Sequence, residues 1–316
     1  MMTIFLEPLS AMALATAQTT TSIQALNMAA QQILAAPPLS SSAAPSLASD
    51  EAQAQADANL WLTQLEPATL QLLAAVTQTC VDFLNTEYPQ LVSLADGPQS
   101  ADSQEQFTNI LNTVMSSIST EQDDAATLYN SLSLYQTQIA TDVGNFTEDS
   151  QELSNAIAGD QAEISSLQSE IDTLQHQINV ANGVESALNG LSWFFGIFTH
   201  EILKVVEDLI NNWVLDLNDK ENAIEQDNQS ISEEQSDIQQ LTALTNNLSG
   251  LINGSTLLVT GMNTLTAGLA TMEGYLKNIQ DDSAVQIGPF LDPELETLQQ
   301  AFEDTLQSIQ QIVGNQ

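Results

Sequence analysis

Hydrophobic residues recur at intervals of three and four over much of the central part of the chain. Two sets of positions repeat every seven residues. The first set is Ala125, Leu132, Ile139, Phe146, Leu153, Leu167 and Leu174, and the second is Tyr129, Val143, Ile157, Ile164, Ile171 and Ile178. Heptads sustained over this length indicate a long helix packed along its length against others. From Ser103 to Asn182 such a helix would span roughly 120 Å at ~1.5 Å per residue.

A second heptad pattern follows the first. Ile224, Ile231 and Ile238 lie seven residues apart, and the register shifts near Leu241 to Leu244. The later members are Leu258, Met262, Leu265, Leu269, Met272, Leu276 and Ile279. Such a shift is expected because a straight helix drifts against a repeat of ~3.5 residues per turn. Strand patterns are nearly absent. The chain is therefore predicted to be all-α, an elongated bundle of about five helices with two very long antiparallel helices and a small apolar head (tongue) at one tip.

Breaks in the helical pattern divide the chain. A Pro/Ser/Ala-rich stretch at 37–49 ends a predicted helix at 22–36, and polar stretches at 95–103 and 281–294 interrupt later helices. The predicted parts are an N-terminal helix and linker at 1–50, a helical bundle at 51–182 and 216–316, and the apolar head at 183–215.

The segment between the two long helices contains a cluster of aromatic residues. In the sequence NGLSWFFGIFTH, five large apolar side chains occupy the six positions 193–198, and 186–200 carries no formal charge. This density exceeds what one helix face can bury. The residues that we expect to enter a membrane are Leu188, Leu191, Trp193, Phe194, Phe195, Ile197, Phe198, Ile202, Val206, Leu209 and Trp213, with Gly183, Gly190 and Gly196 as hinges.

Other interpretations of this cluster stay open. It could cap the end of the bundle, or it could bind a partner protein. A second uncharged stretch, Gly250–Met272, contains Gly250 and Gly254 in a GxxxG arrangement that is also common in membrane helices. Its apolar residues keep largely to one heptad stripe, and Asn253 and Asn263 lie within it. We therefore predict that this stretch is a packed bundle helix rather than a lipid-facing one.

Composition excludes several classes of function. The chain has 41 acidic residues against three Lys or Arg residues, and its net charge is −38. Nucleic acid is excluded as a partner because neutralising phosphates requires cations. Any contact with lipid must rest on apolar burial rather than on attraction to anionic head groups.

Motifs of catalysis and ligand binding are missing from the sequence. There is no glycine-rich phosphate loop, no Cys/His metal spacing and no set of nucleophile, base and acid. We expect no enzymatic activity, no catalytic residue, no cofactor and no metal. Cys80 is expected in the core and His176 on the surface.

The layout resembles that of the cytolysin A type α-pore-forming toxins, and it is closest in plan to components of haemolysin BL and the non-haemolytic enterotoxin. The resemblance covers Glu51 to Ile312, and it rests on the heptads at 157–178 and 258–279 with the tongue VESALNGLSWFFGIF between them. It implies secretion as a soluble monomer, refolding of the tongue at a target-cell membrane, and assembly into a homo-oligomeric pore, either alone or with a second or third helical toxin component. The first residues form no recognisable Sec signal, since a basic n-region is missing.

A second class of function fits the same heptads. A non-enzymatic coiled-coil scaffold, or a translocator or tip protein of a secretion system, would also combine long helices with an apolar end. Release of dye from liposomes by the purified protein separates the two classes, because a scaffold has no reason to permeabilise lipid.

The heptads predict a molecule much longer than it is wide. Small-angle X-ray scattering should give a maximum dimension on the order of 100 Å or more, as the length of the predicted helices requires. A maximum dimension near that of a sphere of this mass would contradict the long helical hairpin.

Overall fold

The computed structural model describes residues 22–195, 197–284, 287–288 and 291–313, with side chains described in these ranges except at 186–203, 308 and 310–313. Within these ranges the chain is helical and contains no strand. The helices are α1 at 22–34, α2 at Leu47–Leu60, α3 at Glu66–Asp82, α4 at Tyr88–Asp96, α5 at Ala101–Phe195, α6 at Ile197–Ser283 and α7 at Asp292–Val313. The lengths of α5 and α6, 95 and 87 residues, confirm the prediction of two very long helices.

Helices α2, α3 and α4 form one continuous helix with two π-helical turns, Trp61–Leu65 and Phe83–Glu87. In each turn the residue before a proline donates its backbone N–H to the carbonyl five residues earlier. Pro67 and Pro89 lack this N–H, and their rings would crowd the carbonyl four residues back, so one wider turn relieves the conflict. Counted as one, this segment brings the number of helices in the described residues to five, as predicted.

The outer ends of the long helices lie where the breaks in the pattern predicted them, whereas α5 continues to Phe195, beyond the predicted end at Asn182. Helix α4 ends at Asp96, and α5 is capped by Ser100, whose hydroxyl accepts the backbone N–H of Ser103 at 3.1 Å. A serine hydroxyl in this position satisfies one of the otherwise unpaired N–H groups of the first turn. Helix α6 ends at Ser283, within the predicted break at 281–294, and α7 begins at Asp292.

Contacts divide the chain into two compact units. Unit 1 comprises the described parts of Met1–Pro37, Ser49–Asn145 and Leu244–Gln316, and unit 2 comprises Pro38–Ala48 and the described parts of Phe146–Ala243. The predicted division at 50, 182 and 215 stays a prediction.

In unit 1, α5 and α6 pack side by side in opposite directions. Gln280 donates to Asn112 at 2.8 Å, and Gln136 donates to Thr256 at 2.9 Å, so residue numbers rise along one helix as they fall along the other. The buried apolar residues of the two helices follow the three-four spacing. They are Phe107, Leu111, Val114, Ile118, Ala125, Leu128, Leu132, Tyr135 and Ile139 on α5, and Leu244, Leu248, Leu251, Leu258, Met262, Leu265, Leu269, Met272, Leu276 and Ile279 on α6.

One of the two predicted heptad sets on α5 is partly wrong. Tyr129 is 38% exposed and Val143 is half-buried. The buried positions lie one residue earlier, at Leu128, Tyr135 and Asp142. The hydrophobic pattern could not reveal this because an aspartate occupies a core position, and pattern recognition counts only apolar residues.

The large side chains of unit 1 join helices that are distant in sequence. Trp61 stacks on Tyr135 of α5 with ring centroids 6.4 Å apart, and its indole N–H donates to Asn27 of α1 at 2.7 Å. Phe83 stacks on Phe302 of α7 at 3.9 Å. Cys80 is also buried, as predicted. Aromatic pairs of this kind add to the apolar burial that holds a bundle together.

Helix α1 packs against α6 where the two glycines of the GxxxG arrangement lie. A Cβ added at Gly254 would be 2.6 Å from Cγ of Leu26, whereas one at Gly250 would be an ordinary 3.6 Å from Cβ of Ala29. Leu26 is fully buried. The glycines therefore allow close contact between helices within unit 1, which confirms the prediction of a packed bundle helix.

In unit 2, α5 and α6 are again antiparallel. The ammonium group of Lys220 on α6 lies 2.5 Å from a carboxylate oxygen of Glu170 on α5, whereas Glu234, farther along α6, is near Asp160, earlier on α5. The linker packs against α5, with Leu39 and Leu47 buried and Ser46 donating to Asp149 at 2.6 Å. Heptad residues farther along α5 are less covered than those of unit 1. Ile157, Ile164, Leu167 and Ile178 are half-buried, since Pro38–Ala48 is the only part of unit 2 besides α5 and α6.

The two glycines of α6 provide a matched test of the close contact with α1. Gly254→Ala should lower the free energy of unfolding by about 1–3 kcal/mol, because the methyl group overpacks a rigid buried site. Gly250→Ala should be neutral or stabilising by up to about 1 kcal/mol, because alanine favours the helix and space is available. Urea denaturation of both variants measures the difference. Equal effects of the two substitutions would contradict the close contact.

Candidate functional site

The candidate site is an open groove between α5 and α6 in unit 2. Its volume is about 470 Å³. Its lining carries no formal charge when histidine is neutral, and most of it is aliphatic or aromatic. The lining residues are His176, Gln177, Val180, Ala181 and Val184 of α5, and Val206, Leu209 and Trp213 of α6.

The contribution of α6 to the groove was predicted from the sequence. Val206, Leu209 and Trp213 follow one another at intervals of three and four, so they share one helical face. Val206 and Trp213 are half-buried, whereas Lys204 and Glu207 are exposed. The structure therefore brings together the three predicted membrane-contacting residues whose side chains it describes.

The contribution of α5 was not predicted. Val180 and Val184 are four residues apart and face α6 across the groove, with Ala181 between them and His176 one turn earlier. The signal in the sequence was a lack of charge, since no residue from Thr173 to Val184 carries a formal charge. His176 is exposed, as predicted, and it also lines the groove.

Exposed apolar side chains concentrate around this groove. Of the ten large apolar side chains that are exposed among the described residues, six lie between 180 and 215. They are Val180, Val184, Val205, Leu209, Val214 and Leu215. Three of them, Val180, Val184 and Leu209, line the groove itself.

The remaining predicted site residues lie outside the side chains that the structure describes. They are Leu188, Leu191, Trp193, Phe194, Phe195, Ile197, Phe198 and Ile202. The backbone of α5 is helical to Phe195 and that of α6 from Ile197, and Gly196 between them is outside the described residues. Gly183 and Gly190 lie within α5, and a Cβ added at Gly183 would meet nothing within 4 Å. The roles of these residues stay predictions.

The charged contacts described in unit 2 lie outside the groove lining. They join α5 and α6 at positions nearer to unit 1 along both helices. The hydrogen bond to Glu170 is the main cause that raises the pKa of Lys220, with Asp216 adding to it. Burial, followed by the nearby charges of Asp160 and Asp237, raises the pKa of Glu234. The groove itself is therefore an uncharged surface on a strongly acidic pair of helices.

The described residues contain neither a membrane-spanning helix nor a metal-binding cluster. No helix among them has a stretch long and apolar enough to cross a membrane. In the same residues, no group of three or more His, Cys, Asp or Glu side chains is placed to hold a metal ion.

Fold and groove together define an all-α bundle with an exposed apolar site between its two longest helices. The model of the Bacillus haemolytic enterotoxin (HBL) family matches residues 9–181, which is more than half of the chain. The chain therefore belongs to the Bacillus haemolytic enterotoxin family. No curated protein matches it in sequence.

Solved structures share the fold over nearly the whole chain. The pre-pore form of AhlB, from the tripartite alpha-pore forming toxin AHL of Aeromonas hydrophila, is 14% identical with a TM-score of 0.66, and the match covers 98% of both chains. The pore form of AhlB is 15% identical with a TM-score of 0.63, covering 98% of this chain and 96% of AhlB. The pore form of SmhB, from the tripartite alpha-pore forming toxin Smh of Serratia marcescens, is 13% identical with a TM-score of 0.65, covering 96% of this chain and 99% of SmhB. The fold predicted from the heptads is thus the fold of the α-pore-forming toxins.

Proposed function

We propose that this chain is a pore-forming toxin component that is secreted in soluble form and binds a target-cell membrane through its apolar head at 183–215. It then assembles side by side with further copies, and with a second or third helical component. The observation that carries the proposal is the uncharged apolar groove beside the charge-free aromatic segment at 186–200, in a member of a haemolytic enterotoxin family. The function requires no catalysis, and the proposed partners include no nucleic acid.

Apolar burial is the only force available for membrane contact. Lys204, Lys220 and Lys277 are the three cations of the chain, and only the first lies within the head. Attraction to anionic lipid scales with the number of basic residues near the surface, so it is weak here. Exposed valine and leucine side chains gain roughly 25 cal/mol for each Å² that leaves water. Binding through this surface should therefore depend little on the charge of the lipid.

The helical segment that leads into the head, at 173–195, is amphipathic rather than uniformly apolar, which favours assembly over insertion of a single copy. Residues 173–195 are helical and contain one formal charge, Glu185, but they also include several Asn, Gln and Ser residues. At ~1.5 Å per residue this segment is about 35 Å long, enough to cross a hydrocarbon layer of about 30 Å. Polar side chains at membrane depth require a water-filled lumen or neighbouring helices. A ring of copies provides both.

The similar structures support a multi-component assembly. AhlB and SmhB are each components of a tripartite alpha-pore forming toxin and have been observed as pores. This chain shares their fold over 96% or more of its length. We infer that this chain likewise forms a membrane assembly together with other helical components.

The aromatic residues of the head are the first target for mutation. Replacing Phe194, Phe195 and Phe198 together by serine should reduce dye release from liposomes at least about tenfold, because each Phe→Ser change removes several tens of Å² of apolar surface from the lipid contact. Far-ultraviolet circular dichroism should show unchanged helix content. Release is measured for the purified protein alone and with its partner components.

A control uses an exposed apolar residue in unit 1. Leu134 is 69% exposed on α5, so Leu134→Ser should leave dye release unchanged. Val184→Ser with Leu209→Ser tests the groove in the same way and should weaken release. If the triple phenylalanine variant still permeabilises liposomes while its helix content falls, the cluster is a cap of the bundle rather than a membrane site.

Gly159 provides a matched control for the proposed hinge at Gly183. Gly183 and Gly159 both lie exposed on α5, and a Cβ at either would meet nothing within 4 Å. Each Gly→Ala change should stabilise the helix by about 1 kcal/mol. If α5 must bend at residue 183 during insertion, Gly183→Ala should slow dye release several-fold while Gly159→Ala does not. Equal rates for the two variants would remove Gly183 from the proposed hinges.

A further inference from the structure

Two carboxyl groups from different helices meet inside unit 1. Asp57 lies on α2 and Asp142 on α5, with exposures of 3% and 2%. The two side chains lie close enough to form a hydrogen bond with each other, and each has a buried Oδ2 atom with no other partner among the described residues. Two ionised carboxylates cannot form such a bond, because both are acceptors and neither has a donor. The contact therefore requires a proton on one of them.

The surroundings of this pair offer no cation to replace the proton. The three lysines of the chain are at 204, 220 and 277, and neither α1 at 22–34 nor the stretch of α6 at 238–272 contains an ionisable side chain. Beyond the pair itself, Asp50 of α2 is the ionisable group whose charge acts on Asp142, and Tyr135 of α5 is an ionisable side chain on which both aspartates act. Asp50 adds negative charge, although it also accepts a hydrogen bond from Asn145 at 3.1 Å.

The remaining polar atoms of the pair have no other partner. The Oδ2 atom of Asp57 and that of Asp142 are buried and form no hydrogen bond with any group that the structure describes. Trp61 follows Asp57 by four residues, and Tyr135 precedes Asp142 by seven. The rings of Trp61 and Tyr135 stack on each other in the interior. A second negative charge in such an interior would lack both a counterion and water.

We propose that Asp57 and Asp142 share one proton and act as a clasp between α2 and α5 that holds only while the proton is bound. The clasp makes the packing of these two helices dependent on pH. It does not rest on the proposed toxin function, since both residues lie in unit 1 and neither belongs to the head.

The direction of the pH dependence follows from the chemistry of the pair. Burial, then the hydrogen bond and charge of Asp57, then the charge of Asp50 raise the pKa of Asp142 to about 7. A group whose pKa is higher in the folded than in the unfolded state stabilises the fold fully below its unfolded pKa of about 4. This stability is lost as the pH rises through the folded pKa. The contact should therefore be strong at about pH 5 and lost at about pH 8.

Unfolding of the full chain across this pH range tests the clasp. The melting temperature of the unchanged protein should fall by several degrees between about pH 5 and about pH 8 at constant ionic strength. Asp142→Asn and Asp57→Asn each supply an amide N–H in place of the shared proton, so both should lose most of this dependence. Asp123→Asn is the matched control, because Asp123 is an exposed aspartate on the same helix. It should follow the unchanged protein.

Hydrogen exchange of the unchanged protein gives a second measurement that needs no variant to fold. After correction for the intrinsic pH effect, segments 50–60 and 135–145 should lose protection several-fold over the same range, while segment 107–118 of α5 keeps it. Equal pH dependence in all the variants, or equal loss of protection in all three segments, would overturn the proposal. So would a rise in melting temperature with CaCl₂ at about pH 8 that Asp142→Asn abolishes, since the pair would then hold a cation rather than a proton.

Discussion

The packing of α5 against α6 along one seam of apolar residues is the interaction on which this fold depends. Ion pairing contributes little, since the ion pairs found among the described residues all involve Lys220. Each fully buried leucine or isoleucine of the seam contributes about 1.5–3 kcal/mol. A chain with net charge −38 repels itself when it compacts, and this burial is what offsets the repulsion.

The shortage of cations also governs the polar groups inside unit 1. Three buried or partly buried acids lie against other acids or hydroxyl groups rather than against lysine. Glu121 accepts a hydrogen bond from Thr79, Asp142 pairs with Asp57, and Glu294 is hydrogen-bonded to Asp282. Burial is the main cause that raises the pKa of Glu121, Asp142 and Glu294. These acids are therefore buried without a basic side chain as counterion.

The two units use the same pair of helices for different purposes. In unit 1, α1 packs on α6, the α2–α4 segment packs on α5, and α7 packs on α3 and α4, and the apolar seam between α5 and α6 is buried. In unit 2 only the short segment Pro38–Ala48 joins them, and apolar residues such as Val180 and Leu209 remain at the surface. Exposed apolar residues of this kind support the proposed contact with lipid or with further copies.

The all-α class, the five helices, the outer ends of the long helices and the shared face of Val206, Leu209 and Trp213 could be predicted from the sequence, because periodicity and helix-breaking residues are local properties of the chain. The α5 side of the groove could not, since Val180 and Val184 become neighbours of Leu209 only through antiparallel packing. The same holds for the heptad position at Asp142. Sequence patterns assign an aspartate to the surface. Asp142 is buried where α5 packs against α2, near Asp57, which lies more than eighty residues earlier in the chain. Tertiary structure decided these features because each depends on contact between helices whose residues are distant in sequence.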